Sequence, residues 1–207
     1  MNVISFRTIV ATVCAAVVCL VVSPNPSATV ADRPFHRFIA RAPFEGDPGA
    51  GPAAVDIVVE RWATSKDRSD LHDALTHRGP EGLLPGLRAL HVPSGVLLVP
   101  GIPNGGARAL TRHPTNVWFA DQVETPTGRQ LVIASDHYMA FGQATVSWPA
   151  GYEFSLLDIR FAEDGTGIGK VASAASVTYN KKTNTFEAAN FDTLPVRLIQ
   201  VKPAKMM

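Results

Sequence analysis

From Val96 onward apolar and polar residues alternate, with turn residues at intervals of about 8 to 12 positions, and no other feature constrains the fold as strongly. Side chains of a strand point alternately to its two faces, so short alternating runs bounded by Gly, Pro, Asn and Asp read as an antiparallel meander or barrel. The pattern predicts strands at Val96–Val99, Ala107–Thr111, Val117–Val123, Gln130–Ser135, Thr145–Trp148, Tyr152–Phe161, Val171–Tyr179, Thr185–Phe191 and Pro195–Lys202. Asn104-Gly105-Gly106 and Pro126-Thr127-Gly128 fall where hairpin turns belong.

Two of these strands change face partway. Tyr152, Phe154 and Leu156 share one phase while Leu157, Ile159 and Phe161 share the other, and Val196 and Leu198 are followed out of phase by Ile199 and Val201. A bulge, or a strand crossing between two packing environments, produces such a shift. The expectation is therefore an α+β chain, mainly antiparallel β, with a coiled sheet or partly closed β-barrel; a two-sheet β-sandwich is the alternative.

Ahead of the meander, Val55, Ile57 and Val59 alternate with Asp56 and Glu60, which starts the domain with a half-buried strand. Thr64 followed by Asp67 is a capping box, Leu71, Ala74 and Leu75 make an apolar stripe, and Gly79 suits the stop, so a helix is predicted from Ser65 to Arg78. Pro80 fits a first helical position, and Leu83, Leu84, Leu87 and Leu90 continue at helical spacing past Pro85-Gly86. A short helical pair near the N-terminus follows, its second member irregular.

The N-terminal segment reads differently. Arg7 precedes an uninterrupted small and apolar run of fourteen residues, Ile9 to Val22, and then the small residues ending Ala28-Thr29-Val30-Ala31. That is the layout of a secretory signal over residues 1–31, and the apolar run is short for a bilayer span, which needs roughly 20 residues. The mature chain is expected to be secreted or periplasmic, without stable membrane insertion after cleavage. Cys14 and Cys19 both lie in the segment to be removed, which leaves no thiol for a disulfide or a metal. Residues 32–54, rich in Pro, Gly and Ala, read as a flexible leader, and residues 55–207 as a single domain. Without Arg7, 18 basic residues face 18 acidic ones, interspersed along the chain, so no nucleic-acid footprint is visible.

Three strings invite a chemical reading. Asp164-Gly165-Thr166-Gly167-Ile168-Gly169-Lys170 looks like a phosphate loop, but Asp164 stands where the first glycine belongs and Val171 where a hydroxyl should bind magnesium. No helix follows to aim its dipole at a phosphate, so the string is expected to be a glycine-rich hairpin with Lys170 as a surface charge. Asp136 and His137 end an apolar strand and are the weak catalytic candidates; adjacent strand residues face apart, so they need a turn between them to act as a base pair, with His113 and Asp121 nearby in sequence. His72 and His77 do not share a helical face and Asp73 with His77 lacks a third ligand, so no metal site and no cofactor are expected.

Leu157-Asp158-Ile159-Arg160-Phe161, the Asp-Gly-x-Gly-x-Gly-Lys turn, Ala189-Asn190-Phe191 and Pro195-Val196-Arg197-Leu198, together with Ile57-x-x-Glu60-Arg61-Trp62, resemble a group of exported bacterial proteins of unassigned function. The resemblance covers most of residues 55–202 and implies no activity, cofactor or catalytic residue. It includes Asp136 in the Ala134-Ser135-Asp136 strand end.

Three functions follow from these readings. The first is a non-catalytic binding or accessory domain outside the cytoplasm, with a small molecule or a protein as partner and with the small residues of Val171–Val177 leaving room for a ligand. The second is a hydrolase or isomerase using Asp136 and His137. The third is a structural or interaction protein that engages a partner through its leader or a sheet edge.

Overall fold

The computed structural model describes residues 36–43, 52–99, 113–126, 128–139, 141 and 153–204. Within them the chain runs through β1 (His36–Ala42), β2 (Ala53–Val59), α1 (Ser65–Arg78), α2 (Leu83–Arg88), β3 (Gly95–Val99), β4 (His113–Val117), β5 (Phe119–Thr125), β6 (Gly128–Ser135), β7 (Ser155–Phe161), β8 (Gly167–Ser173), β9 (Val177–Asn180), β10 (Thr185–Ala188) and β11 (Val196–Ala204). The predicted strands Ala107–Thr111 and Thr145–Trp148 lie outside the described residues.

Nine strands form one antiparallel sheet in the order β4-β3-β2-β1-β11-β8-β7-β6-β5. Its two edge strands, β4 and β5, are consecutive and separated only by Trp118. The sheet therefore curls until its edges meet at one residue: Trp118 N–H donates to Ala134 O at 3.0 Å, and Ser94 N–H donates to Val117 O at 2.6 Å. Ala63 N–H reaches across to Ala120 O at 2.7 Å and closes the same seam from the β2 side. The result is a nearly closed barrel, and the sandwich alternative is excluded by the continuity of the sheet.

The flexible-leader reading is corrected over His36–Ala42. Phe38, Ala40 and Ala42 are buried and alternate with exposed or half-buried Arg37, Ile39 and Arg41. That alternation places β1 between β2 and β11, where every one of its residues pairs with β2. Pro34 and Pro43 flank the strand in sequence. The domain accordingly begins before Val55.

Inside the barrel, Phe38, Ile57, Leu97, Leu131, Leu157, Ile159, Phe161, Leu198 and Val201 belong to one buried cluster, which Met139 and Phe141 join beyond the end of β6. Gly169 makes this packing possible: a Cβ there would meet Leu157 and Leu198 side-chain atoms at 3.1 Å. A second cluster lies outside the barrel wall, where Leu71, Leu83 and Leu87 of the helices and Phe186, Ala188 and Phe191 cover Phe119, Val132, Ala134, Leu156 and Ala172.

This second layer explains the face change in Tyr152–Phe161. β7 is buried on both sides, with Leu157, Ile159 and Phe161 in the interior cluster and Leu156 in the outer one. No bulge is needed there, since β7 pairs with β6 and β8 in unbroken register. In β11 the shift is a true irregularity: Leu198 and Val201, three apart, both enter the core, and Gln200 between them has φ +52°.

Helix α1 occupies the predicted span with its capping box formed, as Thr64 accepts from the Asp67 N–H and the Asp67 carboxylate accepts from Thr64 N–H. The predicted strand Val171–Tyr179 is corrected: β8 ends at Ser173, a 3-10 turn takes Ala174–Ser176, and β9 starts at Val177.

Candidate functional site

At the Ser135 end of β6 the chain bends, and the bend supplies the turn that Asp136 and His137 require. His137 Nδ1 lies 2.8 Å from Asp136 Oδ1, and the Trp118 indole N–H donates to the same oxygen at 2.7 Å. Arg88 Nε stands 3.5 Å from Asp136 Oδ2, while its terminal nitrogen pairs with Glu153 at 3.0 Å. Burial pushes the Asp136 carboxyl up, but the His137 and Trp118 hydrogen bonds and the His137 and Arg88 charges outweigh it and hold the group below its ordinary value. The carboxylate can therefore orient the imidazole, whose ring is two-thirds exposed at 66%.

Asp121 does not join this constellation. It pairs with Arg68 of α1 at 3.0 Å and accepts the Gln122 N–H, and burial pushes its carboxyl above the ordinary value against the Arg68 charge and the Gln122 bond. On the β5–β6 ladder it stands opposite Val132, whereas Asp136 lies beyond the last pair at Ala134. His113 pairs with Val99 at the start of β4.

Two further histidines are occupied structurally. The His72 ring packs on Tyr179 with centroids 4.2 Å apart, and His77 Nδ1 lies 2.9 Å from the Asp73 backbone carbonyl rather than its carboxylate. Among the described residues no group of three or more potential metal ligands occurs.

The glycine string is a hairpin between β7 and β8. Gly165 N–H donates to Ala162 O, Thr166 N–H to the Asp164 carboxylate, and Gly165 takes φ +76°, whereas Gly167 and Gly169 already belong to β8. Lys170 corrects the expectation of a surface charge. It is 6% exposed, donates to Phe191 O at 2.8 Å and Asp192 O at 3.2 Å, and lies over the Phe191 ring. Beside it, buried Asp158 accepts from Gln130 and from the Ala188 N–H, so this polar cluster fastens the β10 side of the outer layer to the barrel wall.

Two clefts remain. One of about 500 Å³ lies outside the barrel between the helices and the Ala174–Ser176 turn, with Leu84, Pro85, Phe154, Ala174 and Ala175 in its lining and Glu81 as its charged group. The room that small residues of the Val171–Val177 run leave is thus outside the barrel, not within it. The other, about 280 Å³, opens at the barrel mouth where β1 and β6 begin, and its lining includes His36, Phe38, Trp62, Gln122 and Arg129. These mouth residues were not candidates from sequence. A signal existed, because Arg129 falls on the inward phase of Leu131 and Ile133 and so puts a charge where the strand's apolar face points.

Comparison of the chain with protein families, with curated proteins and with solved structures finds no match.

Proposed function

We propose that the mature chain is a non-catalytic binding protein working outside the cytoplasm, and that it takes a small ligand at the barrel mouth rather than in the barrel. One observation carries the reading: the interior is filled by side chains such as Phe38, Leu157, Ile159 and Phe161, whereas the mouth keeps a cleft walled by Trp62, Phe38 and His36. An eight- or nine-stranded barrel has little spare volume once large residues fill it, so a ligand is taken where packing stops. Export supports the same reading from the other side, since the segment to Ala31 has the form of a cleavable signal. Thermal-shift screening of the mature chain against small aromatic and aliphatic compounds tests it. Ligands should raise the melting temperature of the wild type and not of Trp62→Ala, and a compound series that stabilises both equally would place binding elsewhere.

The second reading is a hydrolase or isomerase using Asp136 and His137, and the 2.8 Å contact between them favours it. Turnover of any substrate that disappears in His137→Ala and persists in Trp62→Ala would establish it. The leader part of the interaction-protein reading loses its basis in His36–Ala42, which is paired on both sides within the sheet.

A further inference from the structure

Arg129 is a charged side chain at an inward position of β6, and its surroundings specify what it can hold. Its guanidinium carbon lies 4.3 Å from the Phe161 ring centroid and 5.9 Å from that of Phe38, so the cation rests against the aromatic side chains of the interior cluster. Among the described residues no carboxylate or carbonyl accepts a hydrogen bond from it; the nearest acidic position on the ladder, Glu124, is paired with it across β5–β6 but makes no ion pair with it. The contrast with other arginines is direct: Arg37 pairs with Asp56, Arg61 with Asp67, Arg68 with Asp121 and Arg88 with Glu153.

The cleft around Arg129 has the same bias. Its polar side chains are His36, Arg37, Trp62, Gln122 and Arg129, every one able to donate a hydrogen bond, and no acidic residue lines it. Trp62 supplies a flat apolar wall, with the His36 ring tilted against it at 5.1 Å between centroids.

We propose that the barrel mouth is a site for a small organic carboxylate with a flat apolar body, whose carboxylate meets the Arg129 guanidinium and whose body lies on Trp62 and Phe38. A half-buried, pre-oriented planar fork matches a carboxylate bidentately, and a stacked arginine surrenders little rotamer freedom on binding. This proposal rests on the reading of the mouth as the binding site and adds the charge class of the ligand.

Naphthoate and its neutral isostere naphthamide are the probes, titrated calorimetrically into the mature chain at low and moderate salt. Naphthoate should bind at least about tenfold more tightly than naphthamide, a difference of about 1.4 kcal/mol. Arg129→Gln should remove that preference while Trp62→Ala weakens both probes, and Arg129→Lys should keep only part of it, because an ammonium lacks the fork. Circular dichroism and the unfolding midpoint confirm that each variant is folded. Equal binding of the two probes, lost in Trp62→Ala, would overturn the carboxylate assignment and leave the mouth as the site. Naphthoate binding indifferent to both Arg129→Gln and Trp62→Ala would overturn the mouth reading itself.

Discussion

The two halves of the barrel wall are built from similar strands but live in different surroundings. In β1 buried and exposed positions alternate, and the outward residues Arg37, Ile39 and Arg41 meet solvent. In β6 and β7 nearly every residue is buried, because α1, α2, β10 and the Phe191 turn cover their outer side. The bare half needs one apolar face, whereas the covered half needs two and must also bury polar groups, among them Gln130, Asp158, Lys170 and Asp121. A period-two pattern thus reports whether a strand has one packed side or two, and a phase change in it need not signal a bulge.

The largest expected effect is in the covered half. Leu156→Ala empties an outward-facing site on β7 that is 1% exposed beneath the outer layer and should cost about 2 to 5 kcal/mol in denaturant unfolding, whereas Ile39→Ala, outward-facing and 43% exposed on the bare half, should stay within about 0.5 kcal/mol. Similar losses at both positions would break the distinction between the halves.

Two of the long-range arginine–aspartate pairs give a finer test. Arg68–Asp121 joins α1 to the barrel wall with side chains 22% and 5% exposed, while Arg37–Asp56 lies on the bare face at 35% and 9%. Arg68→Ala leaves the Asp121 carboxylate buried without its cation and should cost about 3 kcal/mol. Replacing both Arg68 and Asp121 by leucine should recover most of that loss, because the buried charge disappears with its partner. Arg37→Ala should cost less, about 1 kcal/mol, because the Arg37 side chain is a third exposed and water screens the pair from that side. Double-mutant cycles on both pairs measure the difference.

Acid separates two carboxylates of the covered half by sign. Asp136 has a folded pKa below its unfolded one, so it stabilises above about pH 4 and that contribution is lost as pH falls through the folded value. Asp121 has a raised folded pKa, so protonation relieves its burial and its contribution moves the opposite way. The stability gap between wild type and Asp136→Asn should therefore shrink below about pH 4, while the gap for Asp121→Asn shifts in the other direction. The smallest effect is expected at Lys66–Asp70, an exposed pair one helical turn apart, where Lys66→Ala should leave the unfolding midpoint unchanged.

Much of this fold was legible in the sequence where local rules decide it. The capping box of Thr64 and Asp67 and the stop at Gly79 set α1, and the apolar run Leu131-Val132-Ile133-Ala134 set β6. β1 was hidden by composition, since Pro34, Pro43 and the glycines after it outweighed the alternation of Phe38, Ala40 and Ala42. Lys170 was misread because its partners are the backbone carbonyls of Phe191 and Asp192, about twenty residues on, which no local pattern announces. The Asp136–His137 contact depended on a bend that the strand pattern does not contain, and the mouth around Arg129 is assembled from β1, β5, β6, β11 and the segment after β2.

Amide and indole chemical-shift mapping of residues 32–207 titrated with naphthoate distinguishes a barrel that is packed within and binds at its mouth from one that binds elsewhere. Shifts should concentrate at Trp62, Gln122, Arg129 and His36, with the interior around Leu157 and the Asp136–His137 end unmoved. Shifts centred on Asp136, His137 and Trp118, or spread through the interior cluster, would contradict binding at the mouth.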